Sequence, residues 1–540
     1  MAARKLKGIA PDKICQKVQQ LRGDRGNYEN VWQDIGDYII PRKSDITNTS
    51  YPGEPKYNRI LDSTGMTSLD LLTGALHSMM TNPSGYFFNM TTGNPDLDAN
   101  DNVRIWLQDV VRKMHYRLNN SNFQTEVQEY YVDLAGFGTA AMSIEEDNET
   151  VLRFNTRPLK EIFVEENSKG YIDCLYRRYE LDVRGMVDDF GYDNLPEKVR
   201  KDYDAGKAKK YEIIHAVYPA RKVKGEKTYD PIFRYISQYI LVCDKVQLDI
   251  KGFREFPFVV SRWSKIAGEI YGRGLGEKAL PECKCVNKMT ETTLRGAQKV
   301  VDPPLQAPDD GFVLPLITVP AGLNYYRAGS EDRIEPIFND SRIDFGFQSI
   351  QMKQASIREA FFIDQLKLRE GPQMTATEVT ERTEQALRFL GPMLGRQQSE
   401  FLQPLIDRVY NIMDRRDEFD APPAELEGVP LKVQYSSVMA MAQRLSELQS
   451  IQRTMGAIAP FASADPSVLD NIDGDKALHN IAKLLNFPQE ILRKKEDVAK
   501  MRQQRAQQQQ EQQEAMLAKE RADAAQKAAT AGQKATANGA

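Results

Sequence analysis

IDFGFQSIQMKQASIREAFFIDQLKLREGPQMTATEVTERTEQALRFLGPMLGRQQSEFLQPLIDRVYNIM (residues 343–413) carries two long helical patterns joined by a short charged loop. The first pattern sets Phe347, Ile350, Ile357 and Phe361 at three-to-four-residue steps, which predicts one buried face. The second opens at Thr375-Ala376-Thr377-Glu378, which fits a capping box. There the Thr375 hydroxyl and the Glu378 carboxylate each satisfy an amide that the first turn leaves open. Val379, Ala386, Leu390, Leu394, Phe401, Leu405, Val409 and Ile412 continue the apolar stripe. Pro392 and Pro404 interrupt it. Each removes a backbone donor and crowds the preceding turn, so a long helix bent at those points is expected. Asp364–Pro372, between the two patterns, is a loop that could be held out into a cavity.

Upstream, Leu275–Val301 reads as a further helix, about 40 Å long at the standard rise. A proline-rich, strand-like segment follows, from Asp302-Pro303-Pro304 through Pro320-Ala321-Gly322 to Glu335-Pro336-Ile337. The order is helix, small β-rich insert, helix: a hairpin of long helices with a knob at its tip. Nearer the start, residues 11–40 read as helix with Tyr28, Trp32, Ile35, Tyr38 and Ile39 on one face and Pro41 as the stop. Leu61–Met80 and residues 102–135 are helical patterns, the latter broken by Gly136-Phe137-Gly138-Thr139. From about Ala140 to Ser264 the pattern becomes short alternating runs, which predict antiparallel strands with a helical insert near Val183–Tyr192. The first half is therefore an α+β domain. Beyond Met439 the pattern is helical again. From Arg493 the Gln-, Ala-, Lys-, Arg- and Glu-rich composition favours an exposed helix, or one packed on copies of itself, fading to disorder near Gly532.

The 540 residues, 41% hydrophobic and 27% charged, are enough for a substantial core and more than one structural unit. No apolar run approaches the ~20 residues that cross a bilayer, and no apolar segment follows the basic start, so a protein made and used in a cytosol is expected. Cys15, Cys174 and Cys243 stand apart, and Cys283-Lys284-Cys285 has no second pair to complete a zinc site. Of the four histidines, none forms a metal pair at helical spacing or stands near a nucleophile in a recognisable order. Gly272-Arg273-Gly274-Leu275-Gly276 lacks the spacing and the lysine of a phosphate cradle. Catalysis has no visible foothold, and no cofactor or metal is expected. A net charge of −4 excludes a histone-like wrapper of nucleic acid and leaves a conduit with sparse attraction open.

Four places give the chain its resemblance to a known family: Tyr28–Pro41 around Trp32; Gly268-Glu269-Ile270-Tyr271-Gly272-Arg273-Gly274; Pro303-Pro304 with Pro320-Ala321-Gly322; and Met374-Thr375-Ala376-Thr377-Glu378-Val379-Thr380-Glu381-Arg382. Over roughly residues 10–435 it resembles the portal, or head-to-tail connector, proteins of short-tailed bacteriophages. That resemblance implies a non-enzymatic ring, usually of twelve copies, at one capsid vertex between head and tail, with host cytoplasm as the place of assembly. It implies an α+β wing (1–270), a first stem helix (271–301), a clip (302–343) and a second stem helix (344–363). A channel loop (364–374), a kinked wing helix (375–435), a helical crown (436–492) and a C-terminal barrel helix with a flexible tail (493–540) follow. The implied partners are double-stranded DNA passing through the channel, the terminase motor, capsid and scaffolding proteins, and tail adaptor or tail tube proteins, with no membrane.

On the first long helix, Lys284, Lys288, Arg295 and Lys299 fall within an arc of roughly 60° at about 100° per residue. Val286, Met289, Leu294 and Val300 lie outside that arc, and Glu291 falls close to it. Ring closure would stack these cations beside DNA; the plainer alternative is a solvated face or pairing with acidic residues on the neighbouring subunit. Lys367 and Arg369, in the loop, are further channel candidates, against an ordinary exposed turn. Phe312, Leu314, Leu316 and Val319 make the insert apolar enough to need covering by neighbouring copies, a motor or a tail protein, unless they form a small core of their own. Two functions of other classes compete: a head or tail adaptor or scaffolding protein that conducts no DNA, and a nuclease using Asp188, Asp189 and Asp193 as metal ligands.

Overall fold

The computed structural model describes residues 6–49, 51, 53–98, 100–223, 232–306, 335–336, 343–366, 391, 393–426, 428, 431–435, 450–451, 453–458, 460, 473–484 and 495–537. In chain order these hold α1 (Pro11–Tyr38), α2 (Thr64–Met80), β1 (Phe88–Thr91), α3 (Pro95–Asp98), α4 (Asp101–Asn119), α5 (Phe123–Phe137), β2 (Thr139–Asp147), β3 (Val151–Arg157), β4 (Ile162–Glu166) and β5 (Ile172–Asp182). Next come α6 (Val183–Phe190), α7 (Glu197–Asp204), β6 (Lys210–Pro219), β7 (Tyr235–Leu241), β8 (Val246–Phe253), β9 (Phe258–Arg262) and α8 (Leu275–Val301). The remainder are β10 (Leu305–Gln306), β11 (Glu335–Pro336), α9 (Ile343–Ala360), α10 (Ile363–Leu366), α11 (Gln403–Arg415), β12 (Lys432–Tyr435), α12 (Gly474–Leu484) and α13 (Lys495–Ala537). The chain is α+β, in two compact units. The larger comprises Met1–Asn89, Arg112–Phe419 and Val433–Ala442; the smaller comprises Met90–Val111, Asp420–Lys432 and Gln443–Ala540.

In the larger unit, β4 to β8 form an antiparallel meander in the order β4-β5-β6-β7-β8. Residues of opposite parity along a strand face opposite sides, and β6 uses both. Ile214, Ala216 and Tyr218 join Ile14, Val18 and Leu21 of α1 in one core, while Tyr211 and Ile213 join Val183, Met186 and Phe190 of α6 in another. Each such aliphatic side chain, fully buried, contributes about 1.5–3 kcal/mol. α1 starts with Pro11 in its first turn, where a missing donor costs nothing, and Pro41 opens a 3-10 turn just beyond its end. Arg25, buried in mid-helix, fastens α1 to the β4 edge. It donates to the carbonyls of Leu159 (3.0 Å), Lys160 (2.8 Å) and Ile162, pairs with Glu29 at 2.6 Å and lies 3.9 Å from the Phe163 ring.

A second sheet, β3-β2-β9, is antiparallel with Ala141 opposite Val260 and Ile144 opposite Phe154. Its Ser261 accepts a 2.6 Å hydrogen bond from the buried Tyr130 of α5. The helical run expected over 102–135 is two helices. α4 ends at Asn119 and α5 begins at Phe123, because the Asn120-Ser121-Asn122 link turns the chain through its own side-chain hydrogen bonds. The bend expected at Pro404 takes the form of a π-turn, Gln398–Leu402, immediately before α11. Widening the turn by one residue relieves the clash between the proline ring and the preceding carbonyls. Leu394, Phe401, Leu405, Val409 and Ile412 are buried as their spacing predicts.

In the smaller unit, Val103, Leu107 and Leu426 form a core with Trp106, whose indole donates to the Asp420 carbonyl at 2.9 Å. α13 is one 43-residue helix whose described side chains are almost all exposed. It continues past Gly532, where disorder was expected. A single glycine costs about 1 kcal/mol of helix propensity, and the residues around it, Ala528, Ala529, Ala531, Gln533, Lys534 and Ala535, are strong helix formers. Arg502 grips Asp475 of α12 through two bonds of 2.7 and 2.6 Å.

Candidate functional site

The base of the helix pair is set by glycines. α5 ends at Gly138, which takes φ +91°, a conformation that side chains rarely adopt. Gly272 and Gly274 pack directly on this turn. A methyl group at Gly274 would sit 2.6 Å from both the Gly136 carbonyl oxygen and the Gly138 nitrogen. The Gly138 carbonyl accepts from the Trp263 amide at 2.9 Å, and the Thr139 hydroxyl accepts from the Gly272 amide at 2.8 Å. The glycine-rich run therefore brings two backbones together so that α8 starts against the end of α5. It does not cradle a phosphate.

Helix α8 spans Leu275–Val301, the bounds its pattern predicts, and stops before Asp302-Pro303 because a residue ahead of proline disfavours helix. Its first half is clasped. Cys283 lies against Gly65 of α2, Asn287 bridges the Arg59 carbonyl and Leu61 amide at 2.7 and 2.6 Å, and Val286 is fully buried. Along its length α8 meets α9: Lys353 pairs with Glu282 at 2.9 Å, and the two backbones approach where Gly346 rests on Thr293. That glycine contact corrects one expectation for α9. Ile350, Ile357 and Phe361 are buried, but Phe347 is about half exposed. The helices touch at Gly346, and Phe347 is carried to the flank. Phe345 and Met352, seven residues apart and on the side of α9 away from Ile350 and Ile357, are also exposed.

The four cations of α8 share one face. Glu282 and Thr293, which meet α9, lie about 140° around the helix from the middle of the basic arc. The arc thus points away from α9. Lys284 pairs with Asp34 of α1 at 2.6 Å and lies 5.5 Å from the Tyr38 ring. Lys288 and Arg295, both largely exposed, reach one acceptor, Glu291, at 2.9 and 2.6 Å. The Lys288 hydrogen bond and the Arg295 charge hold the Glu291 carboxyl below its ordinary range. Lys299 is exposed in the last turn and has no ion-pair partner among the described residues. Glu291 was legible from its i+3 and i−4 spacing. Asp34 was not, because 250 residues separate it from Lys284.

Beyond α9 the chain turns at Phe361 and Phe362, the latter at φ +59°, into the single turn α10. Lys367 and Arg369 lie outside the described residues, as do Phe312, Leu314, Leu316 and Val319. What is described of the insert is a two-residue antiparallel ladder, Leu305 opposite Pro336 and Gln306 opposite Glu335. Asp188 and Asp189 lie on α6 and Asp193 on the 3-10 turn after it. No group of three or more metal-ligating side chains exists among the described residues, and no helix among them is long and apolar enough to cross a membrane.

The sequence profile of the bacteriophage head to tail connecting protein family matches residues 11–492. The chain belongs to this family. It is 32% identical over 498 residues to a probable portal protein of Bordetella phage BPP-1, covering 90% of this chain and 89% of that one. It is 30% identical over 499 residues to the portal protein of Salmonella phage epsilon15, with the same coverage. To the portal protein of Enterobacteria phage T3 it is 22% identical over 489 residues, 87% of this chain and 86% of the other. As a connector the chain is a structural, non-enzymatic component of an oligomeric junction at the portal vertex of a phage particle.

Proposed function

We propose that copies of this chain form a ring, twelve in number as in its family, around a channel for double-stranded DNA. The terminase motor drives the genome inward through the ring, and the genome later leaves through a tail docked on it. In this reading α8 and α9 are the stem, the segment around β10 and β11 is the clip, and residues 364–374 are the channel loop. The α+β body with the bent helix ending in α11 is the wing. The segments beyond residue 435 form the crown and a helical barrel, with α13 packed on its copies. Capsid and scaffolding proteins meet the ring in the head, and tail adaptor or tail tube proteins meet it below.

One observation carries this reading: α8 holds Lys284, Lys288, Arg295 and Lys299 on the face turned from α9, the side its own chain uses least in its outer half. Side-by-side copies that turn this face inward would stack rings of positive charge where phosphates pass. The test is charge reversal, Lys288→Glu with Arg295→Glu, in particles assayed for the rates of DNA packaging and ejection. Rates that change while particles still assemble support the reading; unchanged rates contradict it.

A further inference from the structure

The four cations of the α8 arc do not all stand open to a ligand. Asp34 occupies Lys284, and Glu291 occupies both Lys288 and Arg295, lying along the helix between them. Four cations face two carboxylates, so about half the charge is cancelled within the chain. The Glu291 pairs do little for the fold. Lys288 and Arg295 are 72% and 70% exposed, and ion pairs this exposed contribute little to stability. A carboxylate placed between two cations without a structural task calls for another role.

We propose that Glu291 limits the grip of this face on DNA. The inference rests on the channel reading and deepens it. Each cation that neutralises a phosphate releases counterions, and the resulting affinity must be broken again whenever the duplex advances. A bare column of Lys284, Lys288, Arg295 and Lys299 in every copy would hold DNA in place. Glu291 draws the Lys288 ammonium and the Arg295 guanidinium along the helix axis and cancels one of the two charges. Lys299 then remains the freest cation of the arc. Phosphates meet a face that attracts without retaining.

The test uses the assembled full-length protein with a labelled linear duplex, whose ends allow it to thread a ring, and a covalently closed circle, which cannot thread. Retention of each is measured across a salt titration for the native chain, Glu291→Gln and Glu291→Asp. Glu291→Gln should retain the linear duplex several-fold more tightly at low salt. Its plot of log affinity against log salt should steepen by about 0.9 for each further phosphate neutralised. Glu291→Asp, which keeps the charge, should stay close to the native chain. If the linear duplex is retained in preference to the circle but Glu291→Gln has native affinity and slope, the proposal for Glu291 fails and the channel reading stands. If the circle is retained as well as the linear duplex, the channel reading fails and takes the proposal with it.

Discussion

Glu400, in the π-turn before α11, accepts hydrogen bonds from both the backbone amide and the guanidinium of Arg262 at the end of β9, at 3.0 and 2.7 Å. Arg262 is almost wholly buried and also donates to Glu166 and to the carbonyls of Gly170 and Ile270. Gln397 adds a 2.8 Å bond to the Arg262 carbonyl. The irregular turn is thereby fixed to the end of the strand by the side chains of Gln397 and Glu400.

Removing Arg262 leaves the Glu400 carboxylate without its cation, which costs on the order of 3–5 kcal/mol, whereas removing Glu400 leaves Arg262 still paired with Glu166 and costs less. Arg262→Met should lower the stability of the larger unit by that amount, measured by denaturant titration, and Glu400→Gln by a smaller one. The double variant should be less damaging than the sum of the two, because the second change removes an already orphaned group. A strictly additive double-mutant cycle would show that the contact carries no coupling.

Two glycines of the α8 region should respond in opposite directions to the same substitution. Gly274→Ala places a methyl group 2.6 Å from backbone atoms of Gly136 and Gly138, which cannot move without displacing the α5–α8 junction. Loss of soluble protein, or a melting temperature lower by many degrees, is expected. Gly296→Ala meets nothing within 4 Å in mid-helix and should stabilise by about 0.5–1 kcal/mol. Thermal unfolding of the two variants side by side checks both signs.

Acid should destabilise the larger unit over a defined window. His115 is buried among the rings of Tyr86, Phe87 and Phe88 at 4.3–4.8 Å, and burial pushes its imidazole down to about 4. His215 is stacked on Tyr239 at 4.1 Å. Burial first, and then the nearby cations Arg177, Arg157 and Lys251, push it down to about 3. Unfolded histidine takes up its proton near pH 6.5, so below that value the unfolded chain binds protons that the folded chain refuses. The contribution is fully present above pH 6.5 and is lost as the pH falls through about 4. For His115 it amounts to roughly 3 kcal/mol. His115→Phe should flatten the stability profile between pH 6.5 and 4, measured by denaturation at each pH. A variant whose profile still falls as steeply as the native one would assign the acid sensitivity elsewhere.

The proposed channel loop offers a separate handle on DNA retention. Deleting Lys367–Gly371 should leave ring assembly intact and reduce the DNA that filled particles hold, scored by nuclease protection. Failure of rings to form would make the loop a structural element instead.

Much of the architecture was legible where a segment's fate depends on its neighbours in the chain. The end of α8 follows from the prolines after Val301, since a residue ahead of proline disfavours helix. The buried stripe from Leu394 to Ile412 follows from spacing alone. Features that depend on distant partners were not legible. Phe347 has the spacing of a core residue, yet Gly346 takes the contact because Thr293 of α8 stands opposite it. The glycines from 272 to 276 look like a weak phosphate loop until Gly138 is found against them. Pro404 announced a bend, but the π-turn that relieves it is held by Arg262, far away in sequence. For the candidate site, the basic arc and Glu291 follow from helical spacing, whereas the Asp34 partner of Lys284 required the fold.

The central claim concerns how copies stand relative to one another, and single-particle imaging of the purified full-length protein tests it most directly. The account predicts closed rings with an axial opening wide enough for duplex DNA, the Lys288–Arg295 face of α8 turned toward that opening. Solitary subunits, assemblies without a hole, or rings in which the outward face of α9 lines the opening would contradict it.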